Sequence, residues 1–401
     1  MIDLIVARLV ALARPSFGWL TLAAALGLTF LGIEAMDHIP LDFPPDPAGN
    51  QQRNLLIALT AMSCMLLPHP RVIGVLAYPL FAVALGLLIF VLIPFVPESI
   101  VKPVNGARSW INLRVMNFQP SEMAKVTFVL SLAWYLRYRQ NHRTLWGLIP
   151  PFVFMLVPVG LIIVEPDLGQ SLAFGPSLLV MLVAAGAKLR HLLSLLVIAG
   201  LVIGLNVAIV LFAPPQYQVL KPHQQKRIAS MIRLAQGDTS QVQTDAYQQH
   251  KAMTLAGAGG FEGRGADTSR TLLAYYPLPE SHNDMIYAVI VNRWGLLGGV
   301  ATLGLYVVLI GSMFAVAATH RDPLGRIACV GFAGIFLTQA VINIGMTVGV
   351  LPITGITLPF VSYGGSSLLF SYIMVGLVLN FASRQRTFMS RPSFEFDSAR
   401  R

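Results

Sequence analysis

Ten apolar stretches, each long enough or nearly long enough to cross a bilayer, dominate this chain: 17–36, 54–67, 72–95, 120–136, 145–164, 168–186, 192–213, 285–318, 327–350 and 367–383. A membrane-spanning helix needs about 20 mostly apolar residues, and the backbone must satisfy its own hydrogen bonds in lipid. The expectation is therefore an all-α polytopic membrane protein of about ten spans. Charged residues make up only 11% of the 401, against roughly 25% in soluble domains. The two cysteines, Cys64 and Cys329, both fall in apolar stretches and form neither a disulfide framework nor a zinc motif.

The net charge of +10 follows topology and does not point to nucleic acid. With the N-terminus inside, six short segments hold Arg8, Arg14, Arg71, Arg137, Arg139, Arg143, Lys188, Arg190, Arg321, Arg326 and five arginines of the tail, 15 of the 28 basic residues. The positive-inside rule then places both termini in the cytoplasm. The first span is retained, since no small-residue cleavage site follows it. Residues 1–401 form one membrane domain. Its largest non-spanning part is an outer segment at 214–284, with a helical pattern in "QKRIASMIRLAQG" and a glycine-rich end. Residues 384–401 are expected to be a disordered cytoplasmic tail. Outer segment 96–119 breaks the charge pattern with Lys102, Arg108 and Arg114, and asks for an anionic partner.

Polar residues at the membrane edge are few, and each has two readings. In "QPSEMAK", Ser121 suits a helix cap, Glu122 complements the helix dipole, and Glu122 and Lys125 share a face. An ion pair there is either a local structural device or part of a polar cavity, next to Arg108, whose guanidinium suits phosphate. In "VEPDLGQSL", Pro166 fits a first helical turn and the acids Glu165 and Asp167 complement a helix start. Gln170 extends that polarity inward. The run "GAGGFEGRG" matches no nucleotide-binding motif, because no strand precedes it; it lies against either a substrate or the bundle. The loop "LPITGITLPFVSYGGSSLLF" reads as irregular cavity wall, with two serines capping the last span. Asp284, at the outer start of the eighth span, is either an N-terminal cap together with Asn283 or a buried general base. On residue chemistry alone, the cap carries more weight.

The stretches "GARSWINL", "QPSEMAK", "EPDLGQSL", "LPESHNDMIYAV" and "NIGMTVGVLPITGITLPFVSYGGSSLL" together resemble the SEDS family of shape, elongation, division and sporulation proteins. They are closer to its RodA branch than to its FtsW branch. The resemblance covers nearly the whole chain in order. It implies a peptidoglycan glycosyltransferase that polymerises lipid II into a growing glycan strand outside the cytoplasmic membrane. It also implies a class B penicillin-binding protein as transpeptidase partner, together with other elongation-complex membrane proteins. The family's essential aspartate falls on Asp284, preceded by His282. Glu122, Lys125 and Asp167 would line the central cavity, with Arg108 and Arg227 as further substrate contacts. A divalent cation, Mg or Mn, is one alternative to these basic residues for stabilising the departing diphosphate. The chain departs from the family where Asn292 and Arg293 replace an expected acidic pair, and in segment 228–250. The rival readings are a lipid II flippase or transporter, and a scaffold that recruits a transpeptidase. The acids cluster at the outer edge, the cytoplasmic loops are short, and no internal repeat is evident, all of which favour outward-facing chemistry.

Overall fold

The computed structural model describes residues 16–37, 39, 46–104, 107–113, 116–212 and 247–384. Its helices in chain order are α1 (Phe17–Asp37), α2 (Pro47–Met65), α3 (Pro70–Leu92), α4 (Pro120–Leu136), α5 (Ile149–Val164), α6 (Leu168–Leu172), α7 (Phe174–Ala184), α8 (Leu189–Phe212), α9 (Tyr247–Gly259), α10 (Gly265–Tyr275), α11 (Ile286–Thr319), α12 (Pro323–Thr347) and α13 (Gly365–Ser383). All ten expected spans correspond to helix, the sixth as the pair α6–α7. Six helices are long and apolar enough to cross a membrane: α1, α3, α5 with its preceding turn, α11, α12 and α13. Two shorter apolar stretches, Leu168–Ala184 and Leu189–Ile198, add to them. The chain is a multi-pass membrane protein.

The bundle is ordered by which helices can afford polar surface. α12 and α13 are enclosed, and Phe332, Phe336, Phe360, Tyr372 and Phe381 fill the space between them and their neighbours. α1 packs on α11, α2 on α13, α4 on α3, and α7 on α12. Gly376 lets α13 approach α2 so closely that a Cβ would lie 2.7 Å from the Met62 carbonyl oxygen. α3, α5 and α8 turn large apolar side chains outward, among them Val75, Val83, Leu156, Leu196 and Leu201. In water such a face would be a liability; in lipid it is the solvent-facing side.

Between α3 and α4 the chain forms a small antiparallel sheet that the helical reading did not foresee: β1 (Val101–Val104), β2 (Ala107–Asn112) and β3 (Asn117–Phe118). Val101 pairs with Ile111, and Ile111 with Phe118. Val91, Val101 and Ile111 make a small core beneath it.

α11 is too long for one straight span: its 34 residues extend about 50 Å at 1.5 Å per residue. It is broken at Gly295, where φ is 67° and ψ −162°. The glycine-rich turn after α9 enters this break. Arg264 N donates to Asn292 O (2.9 Å), and Leu296 N donates to Gly260 O (2.9 Å), so the turn takes over hydrogen bonds that a continuous helix would make internally. A Cβ on Gly295 would lie 2.2 Å from the Phe261 carbonyl oxygen. Of the two alternatives for "GAGGFEGRG", the structure has the bundle contact. Asn292 is buried beside it, accepting from Ser269 Oγ (2.7 Å) and donating to Leu255 O (2.8 Å). Arg293 reaches Glu34 on α1 and lies over Trp294. The stretch "QKRIASMIRLAQG", most of segment 228–250 and the tail beyond 384 lie outside the described residues.

Candidate functional site

At the end of the bundle carrying the sheet, three segments converge: the start of α4, the α5–α6 turn, and the loop between α12 and α13. Lys125 and Glu122, one turn apart on α4, are fully buried at 0% and 1% exposure. Lys125 Nζ donates to Glu122 Oε1 (2.9 Å) and to Gln170 Oε1 (2.8 Å). A lone charge at that depth would cost several kcal/mol, so the pair survives because each partner is hydrogen-bonded. Asp167 accepts from Gln170 N on Oδ1 (3.2 Å) and from Gln119 Nε2 on Oδ2 (3.0 Å). Gln119 N donates to Ser366 Oγ on α13 (3.0 Å). A continuous polar network thus links α4, α6 and α13.

Asp167 is the N-cap of α6, as its place in "EPDLG" suggested, but Pro166 lies before that helix and not in its first turn. Burial raises the Asp167 carboxyl above its ordinary range, against the lowering effect of the Gln170 amide, the Lys125 charge and the Gln119 side chain. Glu165 ends α5 and is buried, and among the described residues neither of its oxygens has a partner at full hydrogen-bond geometry, the Ser109 hydroxyl being the one polar group beside it that favours its charge. Burial pushes it up to about 8, and the adjacent Asp167 charge adds to this; the Ser109 hydroxyl on β2 works the other way.

Two proposed caps are corrected. Ser121 is inside α4, its hydroxyl buried without a partner, and Gln119 holds the cap position. Ser366 and Ser367 do not cap α13; its cap position is Gly364, which has no side chain to offer. Ser366 instead serves Gln119, and Ser367 lies 3.4 Å from Thr357.

Asp284 lies one loop strand away from this network. Residues 354–356 pass between them: a Cβ on Gly169 would touch Thr354 O at 2.5 Å, and one on Gly355 would stand 3.8 Å from Asp284 Oδ2. Gly355 has φ 75° and is exposed, so the half-buried Asp284 carboxylate opens beside bare backbone. Its main chain is fixed from below. Asn343 Nδ2, buried in α12, donates to Asp284 O (2.9 Å) and to Ile356 O (2.7 Å). The cap position of α11 is Met285, which makes no side-chain cap bond, and Asn283 spends its amide on Glu280 Oε2 (2.6 Å). His282 is half-buried with its ring 5.7 Å from that of Tyr363, and its main chain accepts from Tyr363 N (2.8 Å). Burial lowers its pKa, with Glu280 opposing.

Arg108 stands apart from the network. Its guanidinium donates to Pro94 O (3.0 Å) and Val96 O (2.6 Å), binding β2 to the turn that follows α3. Arg227 and Arg114 lie outside the described residues. Among the described residues, no three of His, Cys, Asp and Glu come together as a metal's donor set.

Sequence reasoning overlooked Asn343, Gln119 and Gln51, and gave Ser366 a capping role in place of its bond to Gln119. Gln51 donates to Ser362 O (3.0 Å), and its Oε1 accepts from Gly364 N (3.3 Å), bracing the loop beside Tyr363. The available signal was a buried amide in an apolar run, as in "NIGM".

A family model described as cell cycle protein, covering FtsW, RodA and SpoVE, matches residues 46–387. The chain belongs to this family. The SEDS resemblance is thereby established. Among its relatives, the probable peptidoglycan glycosyltransferase FtsW of Trichlorobacter lovleyi is 33% identical over 309 residues, 77% of this chain and 76% of that protein. Stage V sporulation protein E of Bacillus subtilis is 34% identical over 311 residues, covering 77% and 79%. Among solved structures, one of a peptidoglycan synthase complex that coordinates polymerization and crosslinking aligns with TM-score 0.75 and 29% identity, over 92% of this chain and 98% of that one. The rod shape determining protein RodA of Thermus thermophilus aligns with TM-score 0.66 and 28% identity, over 92% and 97%. As a family member, the chain is a multi-pass protein of the bacterial cytoplasmic membrane.

Proposed function

We propose that this chain is a peptidoglycan glycosyltransferase that polymerises lipid II at the outer face of the membrane, with Asp284 as general base. The observation that carries the reading is the pairing of a half-buried carboxylate, Asp284 beside the exposed Gly355, with a buried, ion-paired polar network around Lys125 one loop strand away. The names of the curated relatives support the same activity.

The reaction is an inverting glycosyl transfer. Asp284 takes the proton from the 4-hydroxyl of the acceptor's N-acetylglucosamine. That oxygen bonds to the donor's anomeric carbon as the bond to the lipid diphosphate breaks, and the electron pair leaves on the diphosphate. A diphosphate needs charge stabilisation more than protonation, so one carboxylate suffices. Lys125, oriented by Glu122 and Gln170, is the buried cation of the neighbouring network that could supply that charge, and Asp167 and Gln119 hold its surroundings in place. Arg108 then acts through the sheet, since its terminal nitrogens bond the turn after α3, and His282 shapes the wall beside Asp284.

The RodA branch, cell-wall elongation and shape control, and pairing with a class B penicillin-binding protein belong to the same proposal. The solved synthase complex supports the last point. General-base assistance is worth about 10²- to 10⁴-fold, so Asp284→Asn protein, purified and folded, is expected to make no detectable glycan from lipid II. Wild-type rates from that variant would remove Asp284 from the chemistry.

A further inference from the structure

The opposite end of the bundle holds a charge concentration that the proposed reaction does not use. A hollow of about 320 Å³ lies between the C-terminal end of α4, the turn at 140–143, the end of α7 and the start of α12. Arg137, Arg139, Arg143 and Arg326 all line it. Among the described residues only Arg137 has an acid partner, Asp322, at 3.0 Å. Arg139 lies over the Tyr135 ring at 4.3 Å, which orients it without neutralising it. Arg143 extends across Gly186. Arg139, Arg143 and Arg326 are exposed, and none makes an ion pair among the described residues.

The hollow is held in shape by buried contacts. His142 is 3% exposed and bonds through Nε2 to Ala185 O (2.8 Å), fixing the 140–143 turn on the end of α7. The Arg137–Asp322 bridge ties α4 to α12, and Asp322 also caps α12 through Leu324 N (3.4 Å). Helix ends do not cancel the charge. Two C-terminal ends and one N-terminal end meet here, each worth about half a charge, so roughly two to three positive charges remain. Tyr138 and Trp146, 77% and 83% exposed, stand at the same level, as aromatic side chains do at the headgroup boundary.

An excess of arginine alone would follow from the positive-inside rule. That rule sets a count per loop and asks for no convergence. Here guanidiniums from three segments face one concavity that a buried histidine and an ion pair hold open. Arginine offers planar donors matched to phosphate oxygens, and basic pockets between spans on the cytoplasmic side suit anionic headgroups. We propose that this hollow binds a phosphoryl group from the cytoplasmic side, either on an anionic membrane lipid or as a free diphosphate.

The test uses the full chain in detergent, with thermal unfolding and native mass spectrometry read side by side. The probes are phosphatidylglycerol, phosphatidylcholine and inorganic pyrophosphate, added to the parent and to the Arg139→Gln/Arg143→Gln/Arg326→Gln variant. Phosphatidylglycerol is expected to stabilise the parent and be retained by it, with phosphatidylcholine inert. In the triple variant its apparent affinity falls by roughly a hundredfold, about fivefold for each arginine. The matching triple lysine variant keeps the charge and retains most of the affinity, which guards against a fold defect in the glutamine variant. Stabilisation by pyrophosphate alone supports the site and assigns it to soluble phosphates; by lipid alone, to headgroups. Equal stabilisation of parent and glutamine variant, or by phosphatidylcholine, overturns the proposal.

Discussion

Gly355 stands over Asp284 so closely that the first carbon of any side chain there would lie 3.8 Å from Asp284 Oδ2. The contact itself is ordinary, yet the residue is poorly replaceable: at φ 75° an L-residue is strained by roughly 1–2 kcal/mol. Gly355→Ala should therefore keep the fold while lowering polymerisation, and Gly355→Leu should abolish it by covering the carboxylate. Lipid II turnover measured beside a thermal melt separates the two effects. Full activity in the leucine variant would mean that substrate does not approach Asp284 from this side.

Lys125 and Glu122 are tested as a pair. Lys125→Met leaves Glu122 buried and unpaired, and breaking such a pair costs about 3–5 kcal/mol. The double variant Lys125→Met/Glu122→Leu removes both charges and should recover most of that stability in thermal unfolding. It should not recover glycan synthesis. Recovery of both would make the pair purely structural.

Glu165 provides a pH signature. Its folded pKa, raised to about 8, lies above its ordinary value near 4.5. The folded state therefore holds a proton that the unfolded state gives up, and stability falls as pH rises from about 4.5 to about 8. Glu165→Gln removes this loss. The variant should melt with the parent near pH 4.5 and a few degrees above it at pH 8; a constant difference across that range would contradict a protonated Glu165.

Gly295→Ala addresses the break in α11. Its Cβ would collide with Phe261 O at 2.2 Å, a backbone atom that has no rotamer to escape into. A substantially lower melting temperature and faster proteolysis around 260–264 are expected. Unchanged proteolysis would mean that the turn does not depend on this glycine.

Much of this arrangement could be read from residue order, for identifiable reasons. Apolar run length placed α4 at 120–136 without error, because Pro120 starts it and Arg137 ends it. The Glu122–Lys125 pair followed from helical spacing alone. α2 begins at Pro47, but the apolar run starts only at 54, because Gln51, Gln52 and Arg53 make its first turns look like loop. Gln51 is polar because it faces the irregular loop before α13, donating to Ser362 O. What order could not supply was partnership between distant segments. Nothing near Ser366 announces Gln119, and nothing near Asn343 announces the Asp284 carbonyl. The sheet was missed because its core, Val91, Val101 and Ile111, draws on α3 as well as the strands.

The exchange of hydrogen bonds at Gly295 has a dynamic consequence. Residues 286–294 are continuous in sequence with the long span below them, but their C-terminal bonds run to the turn after α9. A helix divided this way opens as two units, each with its own free energy. Amide exchange in 286–294 should therefore track α9 and not residues 296–319. Asp284, just upstream, would then be steadied by the turn after α9 and by Asn343 of α12, and not by the lower half of its own helix.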